Sequence, residues 1–157
     1  AMTLFNQDAD VITFHSATNA VMVAAQERGK MAIAYHSDMR KVAPDAQLLA
    51  ITHNWGEYDI QRVKALQNGT WKTSNVWAGL KEGMIQVGDF GPKLLPQVRT
   101  EILQIQKDIV QGKRHPFQGP LEDNEGKQVL ASGQKLTDVQ ILNMNFVVAG
   151  VVGKIKP

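Results

Sequence analysis

Three short, largely apolar runs each stop at a histidine: ADVITF before His15, MAIAY before His36 and QLLAIT ahead of His53. Runs of this kind, rich in β-branched residues and without polar alternation, belong to strands buried on both faces of a sheet. Helical signals lie between and after them. HSATNAVMVAAQERG reads as a loop, a helix and a terminating Gly29, with Ser16, Thr18 or Asn19 able to cap the helix by accepting from its free backbone N–H groups. A second helix is expected from about Glu57 to Asn68, where Ile60, Val63 and Leu66 recur on one side and Gly69 ends it. The order strand, helix, strand, strand, helix points to the α/β class, with a largely parallel sheet covered on both faces.

Past Gly69, the segment TWKTSNVWAGLKEGMIQVGDFGP holds a strand candidate around Met84 to Val87. The longest helix is expected from about Pro96 to Gln111, with Val98, Ile102, Ile105 and Ile109 at helical spacing and Gly112 at its end. HPFQGPLEDNEGKQVLASG reads as an edge hairpin around an Asp-Asn-Glu-Gly turn. LTDVQILNMNFVVAGVVGKIKP gives a short helix starting near Thr137 or Asp138, then a packed tail. Trp71 and Trp77 are assigned to packing, and His115 receives no role.

Composition narrows the function classes. With 157 residues, 43% hydrophobic and 20% charged, the chain is long enough for one globular domain with a sizeable core. Its 17 basic and 15 acidic residues are mixed along the sequence, and the net charge of +2 leaves no electrostatic footprint for nucleic acid or an anionic membrane. Cysteine is absent, which removes disulfides, thiolate metal sites and thiol nucleophiles together. The longest apolar run, FVVAGVV, falls far short of the roughly 20 residues a membrane helix needs. The opening AMTLFNQDADVITF lacks the charged, apolar and small-residue regions of a signal peptide, and the chain is expected to begin partway through a longer one.

In an open α/β sheet the carboxyl ends of parallel strands share one edge, and ligands bind in the crevice outside it. The clusters His15-Ser16, His36-Ser37-Asp38 and His53-Asn54-Trp55 would therefore face one cleft. An indole offers a flat face for stacking, while imidazole, amide and carboxylate groups supply the donors and acceptors that fix an orientation. That combination suits a small planar polar ligand such as a heterocyclic base. Simpler roles stand beside this one: Ser16 and Thr18 as helix caps, Asp38 closing a turn, Trp55 as a packing residue. His15, His36 and His53 could alternatively form a three-histidine zinc site, although their loops lack metal-ligand spacing and no dedicated base accompanies them. No G-x-S-x-G, P-loop or G-x-G-x-x-G occurs, so neither catalysis nor a cofactor is expected.

Taken in order, DVI with HSATNAVMVAAQERG, AIAYHSDM, APDAQLLAITHNWGEY, NGTW and GPLEDNEGK strongly resemble the basic membrane protein family of ABC-transporter substrate-binding proteins, the purine and nucleoside binders. The resemblance covers essentially the whole chain. It implies a type I periplasmic-binding-protein fold, in which two α/β lobes trap a ligand that is then delivered to a membrane permease, with no reaction catalysed. It also implies that residues 1–157 are the C-terminal half of such a protein, forming its C-terminal lobe, with 57–68 crossing over to pack on the N-terminal lobe. Half a cleft buries a small ligand poorly. Either a partner copy completes the structure as a homo-oligomer, or the piece folds without its activity.

Nucleoside-binding members of that family usually carry an aspartate where this chain has His36 and a lysine near His53, charges suited to ribose hydroxyls. Imidazoles at those places shift the expected ligand toward a free purine base, with Trp55 stacking on it. The expected contacts are His15 and Ser16, His36 and Asp38, and His53, Asn54 and Trp55, with no metal. The implied location is periplasmic or membrane-anchored and extracytoplasmic, as for a lipoprotein. A rival from another class is the ligand-sensing domain of a regulator, because the same fold serves in sensors.

Overall fold

In the computed structural model, which describes residues 1–155, the chain forms two compact units in place of the single domain its length suggests. The first, Ala1–Val110, contains α1 (Met2–Phe5), β1 (Val11–Thr13), α2 (Ala20–Glu27), β2 (Met31–His36), β3 (Gln47–His53), α3 (Trp55–Gln67), β4 (Ile85–Gly88) and α4 (Pro96–Val110). Its four strands lie side by side in chain order, with β1, β2 and β3 parallel. The α/β class and the parallel pairing are as the apolar runs predict. β4 runs antiparallel to β3, matching His53 with Ile85 and Ala50 with Gly88. Apolar content marks a strand but carries no information about its direction.

The core lies on one face of this sheet. Ala32 and Ala34 of β2 and Ala50 of β3 are wholly buried, and Met22 and Ala25 of α2 pack in the same cluster with Ile12 and Phe5. Alanines on the strands let the helix backbone approach closely, so one long side chain, Met22, fills the remaining space. Residues of opposite parity point to the other face. There Ile33, Tyr35, Ile51 and Val87 are only half-buried and Val11 is exposed, so the second face is not fully covered as the apolar runs led one to expect. The helix pattern supplies one clear partner for the sheet, α2, and its stripe is spent on the first face.

One side chain pins the loops that meet the start of β3. Gln47, at the start of β3, is completely buried. Its Oε1 accepts from the Met39 N–H at 2.8 Å, and its Nε2 donates to Asp38 Oδ1 at 3.0 Å and to the Asp89 carbonyl at 2.7 Å. The loop after β2 and the end of β4 are thus fastened to one amide. Gly91 lies against the Gln47 backbone carbonyl so closely that a Cβ there would collide with it.

The second unit, from Gln111 onward, is built on an antiparallel hairpin of β5 (Leu121–Glu122) and β6 (Gln128–Leu130), the edge hairpin expected around Asp-Asn-Glu-Gly. Asp123 Oδ1 accepts from the N–H groups of Glu125 and Lys127, both at 2.9 Å, which closes the turn. α5 (Asp138–Leu142) starts at Thr137, whose side chain forms a capping box with Gln140. The tail is held to the hairpin by backbone bonds such as Ala149 N–H to the Glu122 carbonyl, while Val152 is fully exposed. The apolar packing expected of this tail is therefore absent at its end.

Candidate functional site

The carboxyl ends of β1, β2 and β3 come together as the parallel pairing requires, and an unbroken series of rings runs across them. His15 stacks on Tyr35 with centroids 4.3 Å apart, Tyr35 lies 4.1 Å from His36 and 5.3 Å from His53, and His36 lies 5.2 Å from His53. The series continues from His53 to Trp55 at 6.2 Å and from Trp55 to Tyr58 at 5.8 Å, edge-on. Four of the residues singled out from sequence, His15, His36, His53 and Trp55, thus form one surface with Tyr35 at its centre.

Backbone geometry explains how two consecutive residues share this surface. In a regular strand Tyr35 and His36 would point to opposite faces. His36 instead has φ 72°, in the left-handed region that a non-glycine side chain enters at a cost of roughly 1–2 kcal/mol. That rotation carries its ring back toward Tyr35. Strain of this kind is held at binding sites more often than elsewhere.

Asp38 is already occupied. Arg40 grips it through Nε at 2.9 Å to Oδ1 and through a terminal nitrogen at 2.7 Å to Oδ2, and the buried Gln47 adds its bond to Oδ1. The Arg40 guanidinium is the main reason the Asp38 carboxyl is held down to about 2, against the opposing push of its partial burial. Arg40 also reaches Asp89 Oδ1 at 3.0 Å. Asp38 Oδ1 also accepts from the Arg40 N–H at 3.1 Å, which closes the turn after β2.

The remaining expected residues are more peripheral. Ser16 is exposed, and its carbonyl accepts from the Thr18 N–H at 2.9 Å. It is Thr18 whose hydroxyl accepts from the first turn of α2, from Ala20 N–H at 3.1 Å. Asn54 precedes α3, fixes β4 by donating its N–H to the Met84 carbonyl at 2.9 Å, and makes no side-chain cap. Trp71 and Trp77, assigned to packing, are 48% and 58% exposed. Among the described residues no group of three His, Asp or Glu side chains is placed to hold a metal ion.

Beside the ring series lies a cleft of about 530 Å³, lined by His53, Trp55 and Tyr58 together with Ser74 and Asn75. This volume falls in the range of roughly 300–1,000 Å³ typical of small-molecule sites. Tyr35 and Tyr58 are the site residues that sequence reasoning passed over. Tyr58 carries a signal, since it stands one helical turn after Trp55 and so shares its face. Tyr35 sits in a run read only as a buried strand, and nothing in the sequence announces the positive φ that gathers His36 onto it.

Comparison with known proteins bears on what such a surface holds. Residues 1–124 match the Bmp family, described as ABC transporter substrate-binding protein, PnrA-like. A purine-binding protein of Brucella abortus is 39% identical over 155 residues, which is 99% of this chain and 44% of that protein. A Haloferax volcanii protein assigned as an ABC transporter glucose-binding protein is 21% identical over 83% of this chain and 33% of its own length. The chain spans less than half the length of these curated relatives. The crystal structure of a transcriptional activator of the comK gene from Bacillus halodurans shares the fold, with a TM-score of 0.65 at 20% identity over 73% of this chain and 41% of that one.

Proposed function

The chain belongs to the Bmp family of PnrA-like ABC transporter substrate-binding proteins, a family of binders and not of enzymes, and from that premise we propose that it contributes one wall of a purine-base site in an ABC uptake system. The observation that carries the ligand class is the ring series at the strand ends, His15, Tyr35, His36, His53 and Trp55. Stacking on an aromatic face contributes roughly 1–3 kcal/mol per base, and neutral imidazoles both donate and accept. The purine-binding name of the Brucella relative points the same way.

A free base is favoured over a nucleoside by what the edge lacks in available charge. Asp38, the carboxylate in the strand-end clusters, is spent on Arg40 and Gln47. His36 and His53 stand where a carboxylate and an amine would anchor ribose hydroxyls. Ser16 and Asn54 flank the rings and complete the proposed contact set. The ligand is released to a membrane permease on the extracytoplasmic side, where the family works. Among the described residues no helix is long and apolar enough to cross a membrane.

In the same reading this chain forms the C-terminal half of a two-lobed protein, and the helix over 57–68 packs on the other lobe. The support is the share of the relatives that it spans and the lack of any buried residue in α3. Calorimetric titration of the complete polypeptide with adenine, guanine, hypoxanthine and the matching nucleosides tests the ligand. Bases should bind at least about tenfold more tightly than nucleosides, a difference of about 1.4 kcal/mol. Nucleosides held more tightly than bases would reverse the assignment.

A further inference from the structure

We infer that Asn75, with Ser74 beside it, is a ligand-contacting and specificity-determining residue of the cleft next to the ring series; this rests on the purine reading above. The segment carrying them, between α3 and β4, has no regular structure, yet both of its ends are tied. Thr70 and Trp71 donate their N–H groups to the Ala65 carbonyl at 2.9 and 3.1 Å. At the far end Gly79 N–H donates to Glu82 Oε2 at 2.8 Å, and the Gly79 carbonyl accepts from Met84 and Ile85. Between those ties, no hydrogen bond joins residues 72–78 to another part of the described chain. The segment is therefore held at the cleft, and its polar groups are not spent on other parts of the described chain.

What it brings to the cleft is chemistry that the rings lack. Trp55 and Tyr58 offer ring faces, and His53 supplies one imidazole. Stacking is tolerant of which base is bound, because every base has a π-face. Selection among purines needs a fixed donor and acceptor at the ring edge. Asn75 brings both on one planar amide, the group whose bidentate geometry matches an adenine edge. Ser74 adds a hydroxyl that can turn to either role. Val76 and Ala78 line the same cleft and add apolar surface to it, which strengthens any hydrogen bond formed beside them.

The test is titration of adenine and hypoxanthine into the complete polypeptide and its Asn75→Ala, Asn75→Asp, Trp55→Ala and Thr73→Ala variants, with thermal melts to confirm equal folding. Asn75→Ala should weaken binding by about tenfold, the loss expected for a hydrogen bond left unmade in a cleft. Asn75→Asp keeps the shape but only accepts, so it should shift the ranking of adenine, with its exocyclic donor, against hypoxanthine, with its oxo acceptor. Thr73→Ala should change neither. If both Asn75 variants stay within about twofold of the parent with an unchanged ranking while Trp55→Ala weakens binding, this inference is overturned and the purine site stands. If the parent binds no purine while folded, both fall together.

Discussion

At the scale of single residues, Trp55 would serve the purine as an exposed platform. It is 55% exposed, so truncation should hardly alter folding. Trp55→Ala is expected to weaken purine binding by roughly tenfold or more while Trp55→Phe retains most of it, as measured by calorimetry. His36 poses the opposite test. Its positive φ favours glycine, so His36→Gly should leave stability within about 1 kcal/mol of the parent while lowering purine affinity. Asp38 supplies a pH dependence. Its carboxyl lies lower folded, at about 2, than the ordinary value near ~3.9 unfolded, so its contribution is complete above about pH 4 and is lost as pH falls through about 2. The gap in urea midpoint between the parent and Asp38→Asn should be constant from neutral pH down to that window and close within it. A gap that persisted below pH 2 would rule the ion pair out as its source.

At the scale of elements, the helices and strands were largely legible, for reasons that also mark where legibility stopped. MAIAY and QLLAIT are too continuous and too short for anything but buried strands, and β2 and β3 follow them closely. The α4 expectation differs from the observed helix by a single residue at its end, because apolar spacing and Gly112 bound it. The four-residue α1 is too short to show a period. The three histidines were legible as strand ends, but their convergence on Tyr35 depends on a backbone rotation at His36 that no residue type signals. Gln47 was invisible in the same way, a polar residue opening an apolar run whose three bonds depend on loops from either side. Replacing it with leucine would strand the Met39 N–H and the Asp89 carbonyl. Gln47→Leu should therefore cost about 2–3 kcal/mol by urea denaturation, far more than an exposed glutamine such as Gln61.

At the scale of the whole molecule, α3 buries no residue, and its Ile60, Val63 and Leu66 all face solvent. A stripe of that kind favours association in water. The 157-residue chain alone should gain mass by light scattering as its concentration rises, and the double change Val63→Lys with Leu66→Glu should suppress this. A parent chain that stayed monomeric throughout would count against the apolar stripe of α3 as a surface made to be covered. The central claim, that the strand-end rings are the purine surface, can be read directly because these 157 residues hold four histidines and three of them lie at the site. The fourth, His115, belongs to the second unit, where its Nδ1 accepts from the Phe117 N–H. Proton NMR of these four imidazoles, assigned by single substitution, during titration of the complete polypeptide with adenine or hypoxanthine should show His15, His36 and His53 shifting together while His115 stays still. Binding that left those three resonances unmoved would place the ligand elsewhere and contradict the account.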